Sequence, residues 1–248
     1  MTTARPDHLH IPGTFNYRDV GGLRTARGTT IRSGVLLRSA QLCRLDTTGH
    51  DTLRRLGVAT VHDLRGPAEA DRMGVDILPE GVRLELTPFD SAIGAAPPHE
   101  EAAEESRHLD LVDVYTAFPS MPEAGVALTA MARSLIRGDG AVLVHCAAGK
   151  DRTGWAIATL LRAVGVTEEE ILTDYLLSNA AIDALAADVA RNSGGTTTLP
   201  AALLGVSVEY LAAGTESMHR LYGDLDGYLT AIGFSPELRT ALHDRMVE

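Results

Sequence analysis

The apolar residues of this chain follow two alternating rhythms up to about residue 165 and one rhythm after it. In the first part, the short apolar and β-branched runs VLLRSAQL, VATVHDLR, VRLELTPF and AVLVHC read as buried strands. Between them DTTGHDTLRRLG and EAGVALTAMARSLIRG place apolar residues at helical spacing, and Gly57 and Gly138 stand where those helices should stop. Strand and helix taken in turn predict βα units on a largely parallel sheet, an α/β fold. Trp155, Ala158 and Leu161, with Leu160 and Val164, resume helical spacing directly after AVLVHC. Cys146 is therefore expected in a strand-to-helix turn.

Almost everything beyond that helix reads as helix. Thr167 and Glu170 predict a capping box ahead of one long helix, ILTDYLLSNAAIDALAADVA. RNSGGTTTLP interrupts, with paired glycines that would let the flanking helices move relative to each other. Ser207 is expected to cap VEYLAAGTESMHRLY, and Ser235-Pro236 to open a last short helix. The expected organisation is a single domain over residues 1–248 with a helical lid at about 180–222. Residues 91–108, rich in Ala, Pro, Glu and His, read as a surface loop or a short acidic helix.

Composition narrows the function classes. A chain of 248 residues that is 45% apolar and 22% charged is ordinary for a globular protein with a large core. No apolar run reaches the ~20 residues that cross a bilayer, and MTTARPDHLHIPG has no apolar signal region. A cytoplasmic location is expected, with export by a route lacking a cleaved signal left open. The net charge of −11 argues against nucleic-acid and anionic-membrane partners, which need a basic surface. Any anionic substrate must then be held by a local cluster. Cys43 and Cys146, far apart and without CxxC spacing, read as free thiols and not as a disulfide or zinc site.

The turn itself runs His145-Cys146-Ala147-Ala148-Gly149-Lys150-Asp151-Arg152-Thr153, a cysteine and an arginine separated by five residues. Such a loop can curl so that the N–H groups from Cys146 to Arg152 converge above a helix N-terminus, a cavity suited to phosphate. The same field favours thiolate over thiol, and Arg152 supplies a planar fork for two phosphate oxygens. A nucleotide-binding loop would need glycine at position 144 and Ser or Thr at 151, where Val144 and Asp151 stand. Inert packing of Cys146 leaves the arginine, glycine and threonine in register without a reason. Around Cys43, SAQLCRL offers no such loop.

HCAAGKDRTG resembles the HCxxGxxR[ST] loop of the protein tyrosine phosphatases, and its GKDRT ending resembles the bacterial atypical branch of that family. GTFNYRDVGG, LLRSAQLCRLD, LRRLGVATVHDLR, DYLLSN and LLGVSVEYLAA extend the resemblance, in the family's order, over nearly the whole chain. It implies a phosphatase-type fold and hydrolysis of phosphate monoesters without metal or cofactor, through a phosphocysteine. Its substrate classes would be phosphotyrosine, phosphoserine or phosphothreonine, and phosphoinositides. Cys146 would be the nucleophile, Arg152 the phosphate clamp, Lys150 a second cation and Asp151 the general acid. His145 would support the thiolate, and Thr153 would hydrogen-bond the sulfur. Solvated loop charges are the competing reading for Lys150 and Asp151, and a satisfied strand-end histidine for His145.

The acid has a rival. Ordinary tyrosine phosphatases carry it on a loop after a tryptophan and a proline, but the one tryptophan here is Trp155, inside a helix. Asp90, in TPFD at a predicted strand end, therefore competes with Asp151. Asn16, Arg18 and Asp19 in FNYRDVGG, with Arg38, Asp63 and Arg65, form a polar constellation expected to brace the loop more than to touch substrate. Two departures from the mycobacterial members stand out: Ala147 replaces an aromatic residue, and the stretch from Gly194 to Leu204 is shorter than their helical lid. The expected partner is a phosphorylated peptide or a phosphoinositide, with a small nucleotide or sugar phosphate as the alternative. A silent phosphate-binding module is disfavoured, because it could dispense with Cys146, Asp151 and Arg152.

Overall fold

A computed structural model describes residues 11–89, 110–195 and 199–248. Among them, β1 (Arg18–Asp19), β2 (Leu36–Ser39), β3 (Val58–Asp63), β4 (Arg83–Leu86) and β5 (Ala141–His145) form one sheet in the order β1-β2-β5-β3-β4. Only β1 is antiparallel; β2, β5, β3 and β4 run parallel. The α/β architecture expected from the alternating rhythms is the one observed.

β5 is apolar from Ala141 to Val144 because it is the central strand and is covered on both faces. Val142 and Val144 enter the larger core with Trp155, Leu128 and Phe118, while Ala141 and Leu143 enter a second core with Ile11, Tyr17 and Leu53. A strand covered on both sides loses the polar alternation of a half-exposed one. Its parallel neighbours put Ser39, His145 and Asp63 side by side in register, so three chain segments leave the sheet together at its C-terminal edge. That edge is where α/β sheets place their ligands. The helices Thr47–Arg55 and Pro122–Arg137 pack beside it and stop at the expected glycines, Gly57 (φ 65°) and Gly138 (φ 73°).

The C-terminal half corrects part of the sequence reading. In place of one long helix after Thr167 there are Glu168–Leu176, a 3₁₀ turn Leu177–Ala181, and Ile182–Asn192. Distant partners hold the break: Asp174 and Ser178 receive Arg18, and Asn179 pairs in both directions with the Val206 backbone, at 3.0 and 2.8 Å. Thr167 caps as expected, accepting from the Glu170 N–H, while the Glu170 carboxylate takes Arg24 at 2.7 Å. Ser207 occupies the cap position of Val208–Tyr222 but makes no side-chain cap bond, whereas Ser235 accepts from the Leu238 N–H at 3.2 Å.

The segment expected as a lid holds Ile182–Asn192, Ala201–Leu204 and Val208–Tyr222. The last of these belongs to the main core through Leu211 and Met218, and a Cβ on its Gly214 would come within 2.9 Å of the Trp155 ring. Asp90, residues 91–108 and Thr196–Thr198 lie outside the described residues. Among the described residues no helix is long and apolar enough to cross a membrane.

Candidate active site

β5 ends at His145 and the helix Asp151–Ala163 begins after five intervening residues, so Cys146 does sit in a strand-to-helix turn. Lys150, at the cap position, makes no side-chain cap bond, which leaves the first-turn N–H groups free to face a ligand. The loop's curl depends on Gly149 (φ 66°), where a Cβ would fall 2.1 Å from the Ser39 carbonyl oxygen.

Three loop carbonyls are tied to the scaffold. Asn16 Nδ2 donates to Ala148 O and Gly149 O at 3.0 Å each, Arg38 Nη2 to Gly149 O at 2.8 Å, and the Gln41 N–H to Ala147 O at 3.0 Å. Because a peptide's C=O and N–H point oppositely across one plane, the N–H groups of Ala148, Gly149 and Lys150 turn away from the scaffold. Asn16 reaches this position with φ 53°, and its Oδ1 accepts from Arg18 Nη1 at 2.6 Å.

Asp174 joins the two arginines of this brace, accepting from Arg18 Nε at 2.8 Å and Arg38 Nη1 at 2.7 Å. Burial alone would raise the Asp174 carboxyl, but the two guanidinium groups hold it below the usual carboxylate range. Burial and the neighbouring Arg38 bring Arg18 down to about 10. Asp19 takes no part, since its carboxylate accepts from the Gly21 and Gly34 N–H groups at 2.8 and 2.7 Å.

Asp63 and Arg65 belong to a second buried cluster, behind the cysteine. Arg65 Nη2 donates to Asp63 at 2.7 Å and to Asp76 at 3.0 Å. The other Asp76 oxygen lies 2.7 Å from His145 Nε2, and His145 Nδ1 lies 3.1 Å from the Cys146 carbonyl oxygen. Burial pulls the His145 pKa down, but Asp76 and then Asp63 outweigh it and raise it above the ordinary value. Asp76 is lowered in return, with His145 and Arg65 overcoming its burial. His145 and Asp76 thus form a close buried pair in which each favours the charged form of the other. Asp63, Asp76 and His145 also bring three potential metal donors within 4.8 Å of one another, although nothing in their sequence spacing suggests it. The Arg65 guanidinium already supplies the cation those carboxylates need, so the set does not fit a metal.

Cys146 is buried, and Arg152 lies among carboxylates and backbone. Arg152 Nη1 donates to Glu69 Oε2 at 2.7 Å and to Leu64 O at 3.2 Å, and Nη2 donates to Glu69 Oε1 at 2.8 Å. Both terminal nitrogens are thereby anchored, while Nε–H and the second Nη2 hydrogen make no hydrogen bond among the described residues. That remaining edge of the guanidinium is the one that matches two oxygens of a phosphate. Burial works against the Arg152 charge, but Cys146, Glu69 and Asp151 hold its pKa above the usual value.

Lys150 and Asp151 are both 5% exposed and bonded, so neither is a solvated loop charge. Lys150 Nζ donates to Asp151 Oδ1 at 3.1 Å, lies 2.9 Å from Oδ2, and donates to Gly205 O at 3.2 Å. Asp151 Oδ1 accepts from the Tyr115 hydroxyl at 3.0 Å. Thr153 Oγ1 is buried without a hydrogen-bond partner, so the expected bond to sulfur is not made in this state.

The model for the tyrosine phosphatase family matches residues 9–248. The chain belongs to the tyrosine phosphatase family. It is 36% identical to "Triple specificity protein phosphatase PtpB" of Mycobacterium tuberculosis, over 91% of this chain and 94% of that one. It is 30% identical to the tyrosine-protein phosphatase of Nostoc commune, over 85% of this chain and 74% of that one. The crystal structure of P. aeruginosa TpbA aligns with a TM-score of 0.41 and 18% identity, over 83% of this chain and 90% of that chain. This phosphatase is accordingly a phosphoric monoester hydrolase.

Four residues of this phosphatase's site were not singled out from the sequence: Glu69, Asp76, Tyr115 and Asp174. Glu69 carries a local signal, as an acidic residue in the first turn of a helix opened by Pro67, and that signal points to the helix dipole; Asp174 lies in DYLLSN, a segment of the family resemblance that does not mark it singly. Asp76, Tyr115 and Asp174 reach the site through tertiary packing.

Proposed function

We propose that this phosphatase transfers the phosphoryl group of a monoester to Cys146 and then to water. The observation that carries this reading is the free edge of Arg152 together with a loop whose Ala147, Ala148 and Gly149 carbonyls are tied to the scaffold. Arg152 and the loop N–H groups hold the phosphate and gain most from the charge of the transition state. The Cys146 thiolate attacks phosphorus, the bond to the leaving oxygen breaks, and Asp151 gives that oxygen a proton. Water then attacks the phosphocysteine with Asp151 as base, returning free phosphate and the thiolate. Asp151 is preferred to Asp90 because it is held within the first turn of the helix that carries Arg152.

The substrate classes proposed are phosphotyrosine, phosphoserine or phosphothreonine, and phosphoinositides, in line with the triple specificity in the name of the mycobacterial relative. Lys150, a second cation beside the cradle, suits a substrate with another phosphate nearby. A second reading, a small phosphorylated metabolite, draws on the Lys150 contact with Gly205, which brings the chain before Val208–Tyr222 against the loop. Free thiols at Cys43 and Cys146 fit a reducing, cytoplasmic setting.

Cys146→Ser is expected to abolish turnover and keep phosphate binding, because Arg152 and the loop remain while the hydroxyl does not ionise. A phosphorylated protein should be trapped from the wild type and not from the variant. Full activity in the variant would remove the covalent route. Comparing kcat/KM over phosphopeptides, phosphoinositides and nucleoside monophosphates separates broad from metabolite specificity.

A further inference from the structure

Asp151 is approached by a chain of two buried phenols. Tyr175 Oη donates to Tyr115 Oη at 2.8 Å, and Tyr115 Oη donates to Asp151 Oδ1 at 3.0 Å. The two residues come from separate helices, Leu111–Ala117 and Glu168–Leu176, and both are 1% exposed or less. Their approach is built into the fold: a Cβ on Gly154, three residues beyond Asp151, would lie 2.9 Å from the Tyr175 ring. Tyr115 is further held by ring contacts with Phe118, Tyr175 and Tyr210, at centroid distances of 5.0, 6.3 and 5.9 Å.

A hydroxyl has one proton to give. Tyr175 spends its proton on Tyr115, so Tyr115 can only direct its own toward Asp151. Burial, and after it the charge of Asp151, keep Tyr115 well above its ordinary pKa, so this proton stays in place. An oxygen that accepts from Tyr115 is a poor seat for the carboxyl hydrogen, which leaves Oδ2. Lys150 Nζ bridges both oxygens, donating to Oδ1 at 3.1 Å and lying 2.9 Å from Oδ2, but it sits on a flexible stem with Gly205 O as a further partner, whereas the Tyr115 ring is fixed by its neighbours and adds a second donor to Oδ1 alone.

We infer that Tyr115, backed by Tyr175, is a positioning residue that engages Oδ1 of Asp151 and so assigns the transferable proton to Oδ2, aimed at the leaving oxygen. The inference rests on the proposal that Asp151 is the general acid. In the step it serves, the proton on Oδ2 passes to the leaving oxygen as the P–O bond breaks. The carboxylate that results keeps the Tyr115 bond.

The test uses Tyr115→Phe, which removes one oxygen and keeps the ring, in wild-type and Asp151→Asn backgrounds. Two substrates are compared: an alkyl phosphate, which needs the acid, and an aryl phosphate whose activated phenolate leaves unaided. Tyr115→Phe is expected to lower kcat on the alkyl phosphate about tenfold or more and to change the aryl phosphate less than about threefold, with KM little altered. In the Asp151→Asn background it should add almost nothing. Tyr175→Phe should give a smaller split in the same direction, and it carries the test if Tyr115→Phe does not fold. Equal losses on both substrates, or an undiminished effect in the Asp151→Asn background, would overturn the inference alone. If Asp151→Asn itself shows no leaving-group dependence, the general-acid reading falls, and this inference with it.

Discussion

Replacing Glu69 by Gln probes how Arg152, the proposed phosphate clamp, is aimed. In the structure Glu69 makes two short bonds to the terminal nitrogens of Arg152, both partners 4% exposed or less. Glutamine keeps the volume and one acceptor but turns an NH₂ group toward a guanidinium N–H. One charge-assisted bond is lost and the other is weakened to a neutral acceptor. With each bond to a charged group contributing about 1.5–3 kcal/mol, the net loss of stability is expected at about 2–4 kcal/mol. In a domain of this size each kcal/mol lowers Tm by about 2–4 °C, so calorimetry should record a fall of about 4–16 °C. Catalysis should suffer separately, because a guanidinium that can swing no longer presents its Nε edge to the phosphate. A loss of about 2 kcal/mol in transition-state binding corresponds to about a 30-fold drop in kcat/KM. Saturating phosphate should raise the Tm of the variant more than that of the wild type, since it offers the underpaired Arg152 a new anion. A variant with wild-type Tm and kcat/KM within about twofold would refute the claim that Glu69 aims Arg152.

Two further outcomes are expected. Gly149→Ala places a methyl group 2.1 Å from the Ser39 carbonyl oxygen and asks an L-residue to hold φ 66°, a strain of about 1 kcal/mol before the clash. The loop must move, so activity should fall about 100-fold or more, and phosphate binding by calorimetry should fall with it. Unchanged phosphate affinity would show that the loop's shape does not depend on this glycine. Asp76→Asn should cost about 3 kcal/mol by removing one half of the buried pair with His145. His145, raised in the fold, contributes stability in full below about pH 6.5, and this is lost as pH rises through its folded value. Asp76, depressed, contributes above about pH 3.9 and loses this as pH falls through its folded value. Urea unfolding of both proteins should therefore show the largest difference near pH 5–6 and a smaller one at either extreme. A difference that is flat with pH would mean that the pair is not an ion pair.

Elements whose cause lies within a few residues were legible in the chain itself. The run AVLVH announces a central strand, Gly57 and Gly138 stop their helices, and Ser235 caps beside Pro236, because strand burial, left-handed backbone and side-chain caps are local matters. The Cys146-to-Arg152 spacing is legible for the same reason: a loop that short has few ways to join a strand to a helix while keeping its N–H groups together. The break at Leu177–Ala181 was not legible, since it answers to Arg18 and to the Val206 backbone, far away in the chain. Ser207 sits in the right place for a cap that its side chain does not make.

The same division runs through the site. From the sequence alone come the loop, its cysteine, its arginine and the family resemblance, all carried by contiguous residues whose mutual distance the chain bounds. Tertiary structure alone decides that Glu69 grips Arg152 from 83 positions away, that Asp174 joins Arg18 and Arg38 from beyond the loop, and that Tyr115 bonds Asp151 across 36 positions. Single acidic or phenolic residues in a helix carry no pattern of their own, because the same residue types serve equally well on a solvated face. They acquire roles only when burial removes water and leaves each charge or hydroxyl to be satisfied by whatever the packing brings to it.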